Sequence, residues 1–249
     1  MSFSVSNNGS SATFYANLNQ QKLENSLAKM ASAKELNKSA DDASAMAIAN
    51  QLGAQVREAS QSIMNANDSI GMIQIADSAV GSIQENMGSI KDLAMRATSP
   101  IMSAANKTSI QNEINALMES NQLAASSANY NGMSLLDGSE NALGNVSSLL
   151  EGGIDLNSEN VLENIQSITD NLGSMRSDFG ASQNQLLADI NNTSVYRVNT
   201  AAAESNMRDL DFAQESSNFS RQNIQAQVAS FVQAQSNNIV AQNVTGLLQ

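Results

Sequence analysis

Residues Ala49 to Ala97 read ANQLGAQVREASQSIMNANDSIGMIQIADSAVGSIQENMGSIKDLAMRA, and this stretch decides the fold. Its apolar positions Ala49, Leu52, Val56, Ala59, Ile63, Ala66, Ile70 and Ile73 alternate steps of three and four, which is a heptad seam. One irregular step from Ile73 to Ala76 reads as a stammer, after which Val80, Ile83, Met87, Ile90, Ala94 and Ala97 resume the alternation in one continuous helix. At about 1.5 Å per residue the helix would be roughly 75 Å long, longer than a compact domain is wide. Gly53, Gly71, Gly81 and Gly88 each cost roughly 1 kcal/mol relative to Ala, so something must pack along it.

Working outward, the rest of the composition limits what that partner can be. The chain has 249 residues with no Trp and 4% aromatics, so a core must be aliphatic, built from Ala, Leu, Ile, Val and 12 Met. A formal net charge of −12 makes nucleic acid an unsuitable partner. Only 14% of residues are charged, and the largely Ser, Asn and Gln surface suits packing against copies of the same chain. Cysteine and histidine are both absent, which removes thiolate nucleophiles, disulfides, Ser-His triads and HExxH zinc sites together. No cofactor or metal is therefore expected, and the chain is read as non-enzymatic. The Ser/Asn-rich start, with Lys22 as its first basic residue, lacks the pattern of a Sec signal, and no window approaches 18 uninterrupted apolar residues. No membrane insertion is expected.

Ahead of the long helix, Phe14, Leu18, Leu23, Leu27 and Met30 predict an amphipathic terminal helix. The Ser39-x-x-Asp42 pattern predicts a cap, and capping is the preferred reading of the Asp41-Asp42 pair over metal or acid-base chemistry. Pro100 ends the long helix. A shorter helix with a seam at Ile110, Ile114, Leu117, Ala124 and Ala128, and Asn121 in the intervening slot, should fold back on it. Asn131-Gly132 and Asp137-Gly138 predict one or two β-hairpins at about 130–157, the scraps Val146 to Leu150 and Ile154 to Leu156 included, as the only non-helical territory. A second long helix follows on Val161, Ile165, Ile168, Leu172, Met175 and Phe179. A last amphipathic run carries Phe219, Ile224, Val228, Phe231, Val232, Ile239, Leu247 and Leu248. The expected class is mainly α: an elongated antiparallel coiled-coil rod with a small β-hairpin region at its tip. Its expected parts are an N-terminal assembly helix and connection (1–44), the rod (45–208) and a C-terminal assembly helix (209–249).

Several motifs resemble bacterial flagellin. They are Asn37 to Ala49, Asn65-Ala66-Asn67-Asp68, Tyr130-Asn131-Gly132, Arg176 to Ala181, Ser217 to Arg221 and the closing Gln242 to Leu248. The resemblance implies paired terminal helices forming the inner tube of a filament, export through the flagellar type III apparatus, and a secretion chaperone on the C-terminal helix. Phe14, Leu18, Leu27 and the apolar positions of the last run are then the self-assembly residues, in a homo-oligomer or a co-polymer with other flagellins. By the same resemblance, Met87, Ser89, Ile90, Leu93 and Glu113 align with the segment contacted by a flagellin-sensing Toll-like receptor, weakened here because Ser89 replaces an Arg.

Two departures accompany it. Only about 30 residues separate the helical arms, where the family usually carries a large variable domain. Ala33 and Glu35 also stand where the family has a turn glycine and a cation. The reading is a minor structural subunit of the filament, found in the extracellular flagellum. The rivals are a secreted flagellin-like effector acting on host or neighbouring cells, and a hook-filament junction protein. Terminal stripes without a core to cover should stay disordered until neighbours bury them, leaving a protease-resistant core near Met46 to Arg208.

Overall fold

The computed structural model describes residues 8–139 and 142–247. Among these the chain forms α1 (Asn8–Ser32), α2 (Ala43–Ala97), α3 (Ala104–Ser127), β1 (Asn129–Tyr130), β2 (Met133–Ser134), α4 (Val146–Glu151), α5 (Val161–Arg208) and α6 (Phe212–Leu247). It is a mainly helical protein with one small antiparallel sheet.

The 55 residues of α2 make a continuous helix of about 80 Å. Its start is set by Asp42, whose Oδ1 accepts the N–H groups of Ser44 and Ala45 at 2.9 Å each. Ser39 does not cap; its hydroxyl instead faces the Met46 sulfur at 3.6 Å. Asp41 looks the other way and accepts the N–H groups of Lys38 (2.8 Å) and Asn37 (3.0 Å), which hold its carboxyl below the ordinary carboxylate range. Asp42 thus caps α2, while Asp41 closes the turn that precedes it.

The chain divides into two compact units: residues 59–196, and a second formed by the described residues up to Glu58 together with those from Arg197 onward. In the first unit the α2 seam is wholly interior from Ile73 to Ala97, where Ala76, Val80, Ile83, Met87, Ile90 and Ala94 are fully buried. They meet Ile114 of α3 and Ile165 and Leu172 of α5, with Leu135, Leu136 and Val146 completing one aliphatic cluster. The α3 seam is rotated slightly from expectation: Met118 and Ala125 are buried while Leu117 and Ala124 are half-buried. Asn121 does occupy a core position. Its Oδ1 accepts from Asn86 Nδ2 at 2.8 Å, and its own Nδ2 has no hydrogen-bond partner, a cost of about 1–3 kcal/mol for a buried amide.

Between α3 and α5 the sequence expectation holds in part. Asn131 and Gly132 take φ of 50° and 81°, the left-handed pair a two-residue hairpin turn needs, and Tyr130 pairs with Met133 across it. Val146 to Leu150, however, is not a strand: it is the start of α4, with Asn145 Oδ1 accepting the Ser148 N–H at 3.0 Å. Burying Val146 and Leu150 four residues apart on a helix satisfies the backbone locally, where a strand would need a partner. Ile154 to Leu156 is irregular, clamped by Gln111, whose amide donates to Ile154 O (2.6 Å) and accepts from Leu156 N (2.9 Å).

Candidate assembly surface

In the second unit, α1 and α6 lie antiparallel, joined by Thr13 Oγ1 to Gln233 Oε1 (3.1 Å) and by Ser26 Oγ to Glu215 Oε1 (2.5 Å). Their backbones approach more closely along their lengths than those of any other two helices among the described residues. The inward positions mix small and polar residues with a few larger ones: Ser26 and Glu215 are buried, and Ala16, Asn19, Leu23, Met30, Phe219, Ala226 and Ala229 are half-buried. Asn218 Nδ2 holds the other Glu215 oxygen at 3.1 Å, so the buried carboxylate has two donors.

Two connections brace the base of this pair. Lys34 and Asp209 form an antiparallel bridge, with Glu35 N donating to Arg208 O (2.8 Å) and Leu210 N to Ala33 O (3.2 Å). Ala33 adopts φ 54°, a conformation suited to glycine. Glu35 is paired with Lys29 at 2.5 Å, and that bond raises the Lys29 pKa. Asp211 caps α6 by accepting from Ala213 (3.1 Å) and Gln214 (3.0 Å).

Many of the large apolar side chains of the pair nevertheless point outward. Phe231 is 72% exposed, Phe14 63% and Ile224 62%, and Leu27, Val228, Val232 and Ile239 are also exposed. Leu18 and Phe219 are half-buried. Leu247 ends α6, and Leu248 lies outside the described residues. A further signal was available in the sequence: no charged residue occurs before Lys22 or after Arg221. The outward surface of the distal part of the pair is therefore apolar and uncharged, and apolar burial is the chemistry it offers.

The residues aligned with a receptor contact are not brought to one surface. Met87, Ile90 and Leu93 are buried in the aliphatic cluster, and only Ser89 and Glu113 are exposed. The reason is the α2 seam itself, whose three-four spacing turns Met87 and Ile90 inward. Among the described residues no three His, Cys, Asp or Glu side chains are grouped to hold a metal ion, and no helix is long and apolar enough to cross a membrane.

A helical chain whose ends pair and leave an uncharged apolar face outward belongs to the self-associating class of proteins. The bacterial flagellin N-terminal helical region matches residues 5–141 and the bacterial flagellin C-terminal helical region matches residues 162–248. The chain is a member of the bacterial flagellin family, with no large insert between the two regions. Secreted flagellin C of Campylobacter jejuni (strain 81116) is 28% identical over 95% of both chains. The flagellar filament 31.3 kDa core protein of Treponema maltophilum is 29% identical over 89% of this chain and 90% of its own. Flagellin B of Helicobacter pylori (strain 26695) is 42% identical over 55% of this chain and 25% of its own length. Among solved structures, Bacillus cereus flagellin aligns with 57% of this chain and 94% of its own at 22% identity, with a TM-score of 0.48.

Proposed function

We propose that this protein is a non-enzymatic structural subunit of the extracellular flagellar filament, exported by the flagellar type III apparatus and self-associating through α1 and α6. The observation that carries the reading is the outward apolar face of the distal part of that pair, before Lys22 and after Arg221, free of charge on a chain of net charge −12. Copies so acidic repel one another, and only a neutral face lets them close without that penalty. The same face of α6 is what an export chaperone would cover before assembly. The short segment between the helical arms leaves little outer surface, which fits a minor component co-polymerised with longer flagellins.

A second reading, a secreted flagellin-like protein outside the filament, is favoured by the similarity to the Campylobacter secreted flagellin over 95% of both chains. Mass spectrometry of sheared filaments against culture supernatant separates the two. Incorporation along filaments supports the subunit; recovery in the supernatant alone overturns it. Recognition by a flagellin-sensing Toll-like receptor would fall on Ser89 and Glu113, the exposed members of its aligned set, and Ser89→Arg should then strengthen signalling in a reporter-cell assay. An unchanged response removes that assignment.

A further inference from the structure

Among the described residues, Asn121 is the one polar side chain buried in the unit formed by residues 59–196, and its exposure is 0%. Along α3 it stands between buried Met118 and Ala125. Its Oδ1 accepts from Asn86 Nδ2 of α2 at 2.8 Å, while its own Nδ2 finds no acceptor in the protein. A buried amide left half-satisfied lowers stability, and an apolar side chain in its place would not carry that penalty. The apolar residues around it leave one matter undecided. The α3 sequence offers two seams that share Ile110, Ile114, Asn121 and Ala128, one adding Leu117 and Ala124 and the other Met118 and Ala125. Leu and Met are close in volume and the alanines are identical, so apolar burial scarcely separates the two settings. At about 100° per residue they differ by a rotation of about 30°. The protein takes the second, with Met118 and Ala125 buried and Leu117 and Ala124 half-buried.

We infer that the hydrogen bond between Asn86 and Asn121 fixes the rotational setting of α3 on α2, giving a degenerate apolar interface one arrangement. Apolar burial is non-directional, whereas an amide pair holds only when its two groups meet at bonding distance. A rotation of about 30° moves an atom about 6 Å from the helix axis by about 3 Å, enough to part the two amides. Turning α3 to the other seam therefore leaves the Asn121 carbonyl without its donor, in addition to the Nδ2 that already lacks an acceptor. The setting carries beyond α3, because its C-cap Ala128 accepts the Leu135 N–H at 2.9 Å and so places the chain that leaves the hairpin. Stability given up at Asn121 is exchanged for a single structure.

The test uses the full chain, carbon-13 labelled at its methionine methyls and dilute enough to stay monomeric, with the Met118 signal assigned by its loss in Met118→Leu. In the unsubstituted chain Met118 should give one methyl signal, shielded from a soluble paramagnetic agent. Asn121→Leu should split or broaden that signal and remove its shielding, with a urea midpoint equal to or above that of the unsubstituted chain. Asn86→Leu should disturb the signal in the same way but lower the midpoint, because the buried Asn121 carbonyl then has no donor. Adding Asn121→Leu to it should recover the midpoint and not the single signal. One sharp, shielded Met118 signal in both Asn121→Leu and the double variant overturns the inference. So does an Asn121→Leu chain that unfolds at lower urea or fails to fold, since the pair would then be an ordinary stabilising contact.

Discussion

The two units of this chain solve opposite problems with the same material. In residues 59–196 the large aliphatic side chains face inward, and Ile83, Met87, Ile90, Ile114 and Leu172 are fully enclosed. In the α1–α6 pair the two buried positions are Ser26 and Glu215, while Phe14, Ile224, Val228, Phe231, Val232 and Ile239 are exposed. The first unit is complete as a folded body; the second exposes the surface that elsewhere would be its core. A helix pair whose buried positions are polar and whose larger apolar residues are at most half-buried gains less from apolar burial than the first unit, and covering the outside would add to it.

The contrast predicts a wide spread in the effect of truncation. Ile83→Ala should lower the unfolding free energy of the isolated chain by about 2–5 kcal/mol in urea denaturation. Ile224→Ala should change it by less than about 0.5 kcal/mol while impairing polymer formation. Equal losses for the two would erase the distinction between the units. Ser26→Ala removes one of the two donors to the buried Glu215, a loss of about 1.5–3 kcal/mol for a bond to a charged group, read as faster amide exchange across α1 and α6. If exchange in α1 is unchanged, that hydrogen bond is not what holds the pair.

Smaller effects come from the connections. Ala33→Gly relieves a left-handed alanine and should raise thermal stability by about 1 kcal/mol; no gain would mean the strain is relaxed elsewhere. The weakest effect is on pH. Asp41 has its carboxyl depressed by the Lys38 and Asn37 N–H groups, so its contribution is present above the ordinary carboxylate value of about 3.9 and is lost as pH falls through the lower folded value. Asp41→Asn should flatten that part of the acid-denaturation curve and leave stability above pH 5 nearly independent of pH; an unaltered acid limb would show that the carboxylate is not the titrating group.

Much of the first unit was legible because a heptad seam is a direct record of which face is covered. The positions from Ile73 to Ala97 are interior as spaced, and the odd Asn121 in the α3 slot is buried as its register demands. The hairpin at Asn131-Gly132 was legible because its left-handed backbone calls for those residues. The helix α4 was not, since a five-residue apolar scrap fits strand or helix equally, and only the Asn145 cap tips it.

For the terminal helices, spacing identified the helices and set Phe14 and Leu27 apart as association residues, and both are exposed; nothing in the spacing marked the buried contact of Ser26 with Glu215 between the helices. The charge-free ends were the signal that these helices obey a different rule. Of the receptor-aligned set, Met87 and Ile90 are members of the α2 seam and are buried with Leu93, while Ser89 and Glu113 are exposed.

The bond between Ser26 and Glu215 joins residues 189 apart, and that between Thr13 and Gln233 spans 220. Closing so long a loop is slow relative to the local packing of α2 with α3, so the terminal pair should be the last part of the chain to form. During synthesis α1 has no intramolecular mate until α6 has been made. The order of events in time thus places the association surface at the end of folding, after the interior body is settled, and a chain emerging residue by residue cannot display its paired ends prematurely.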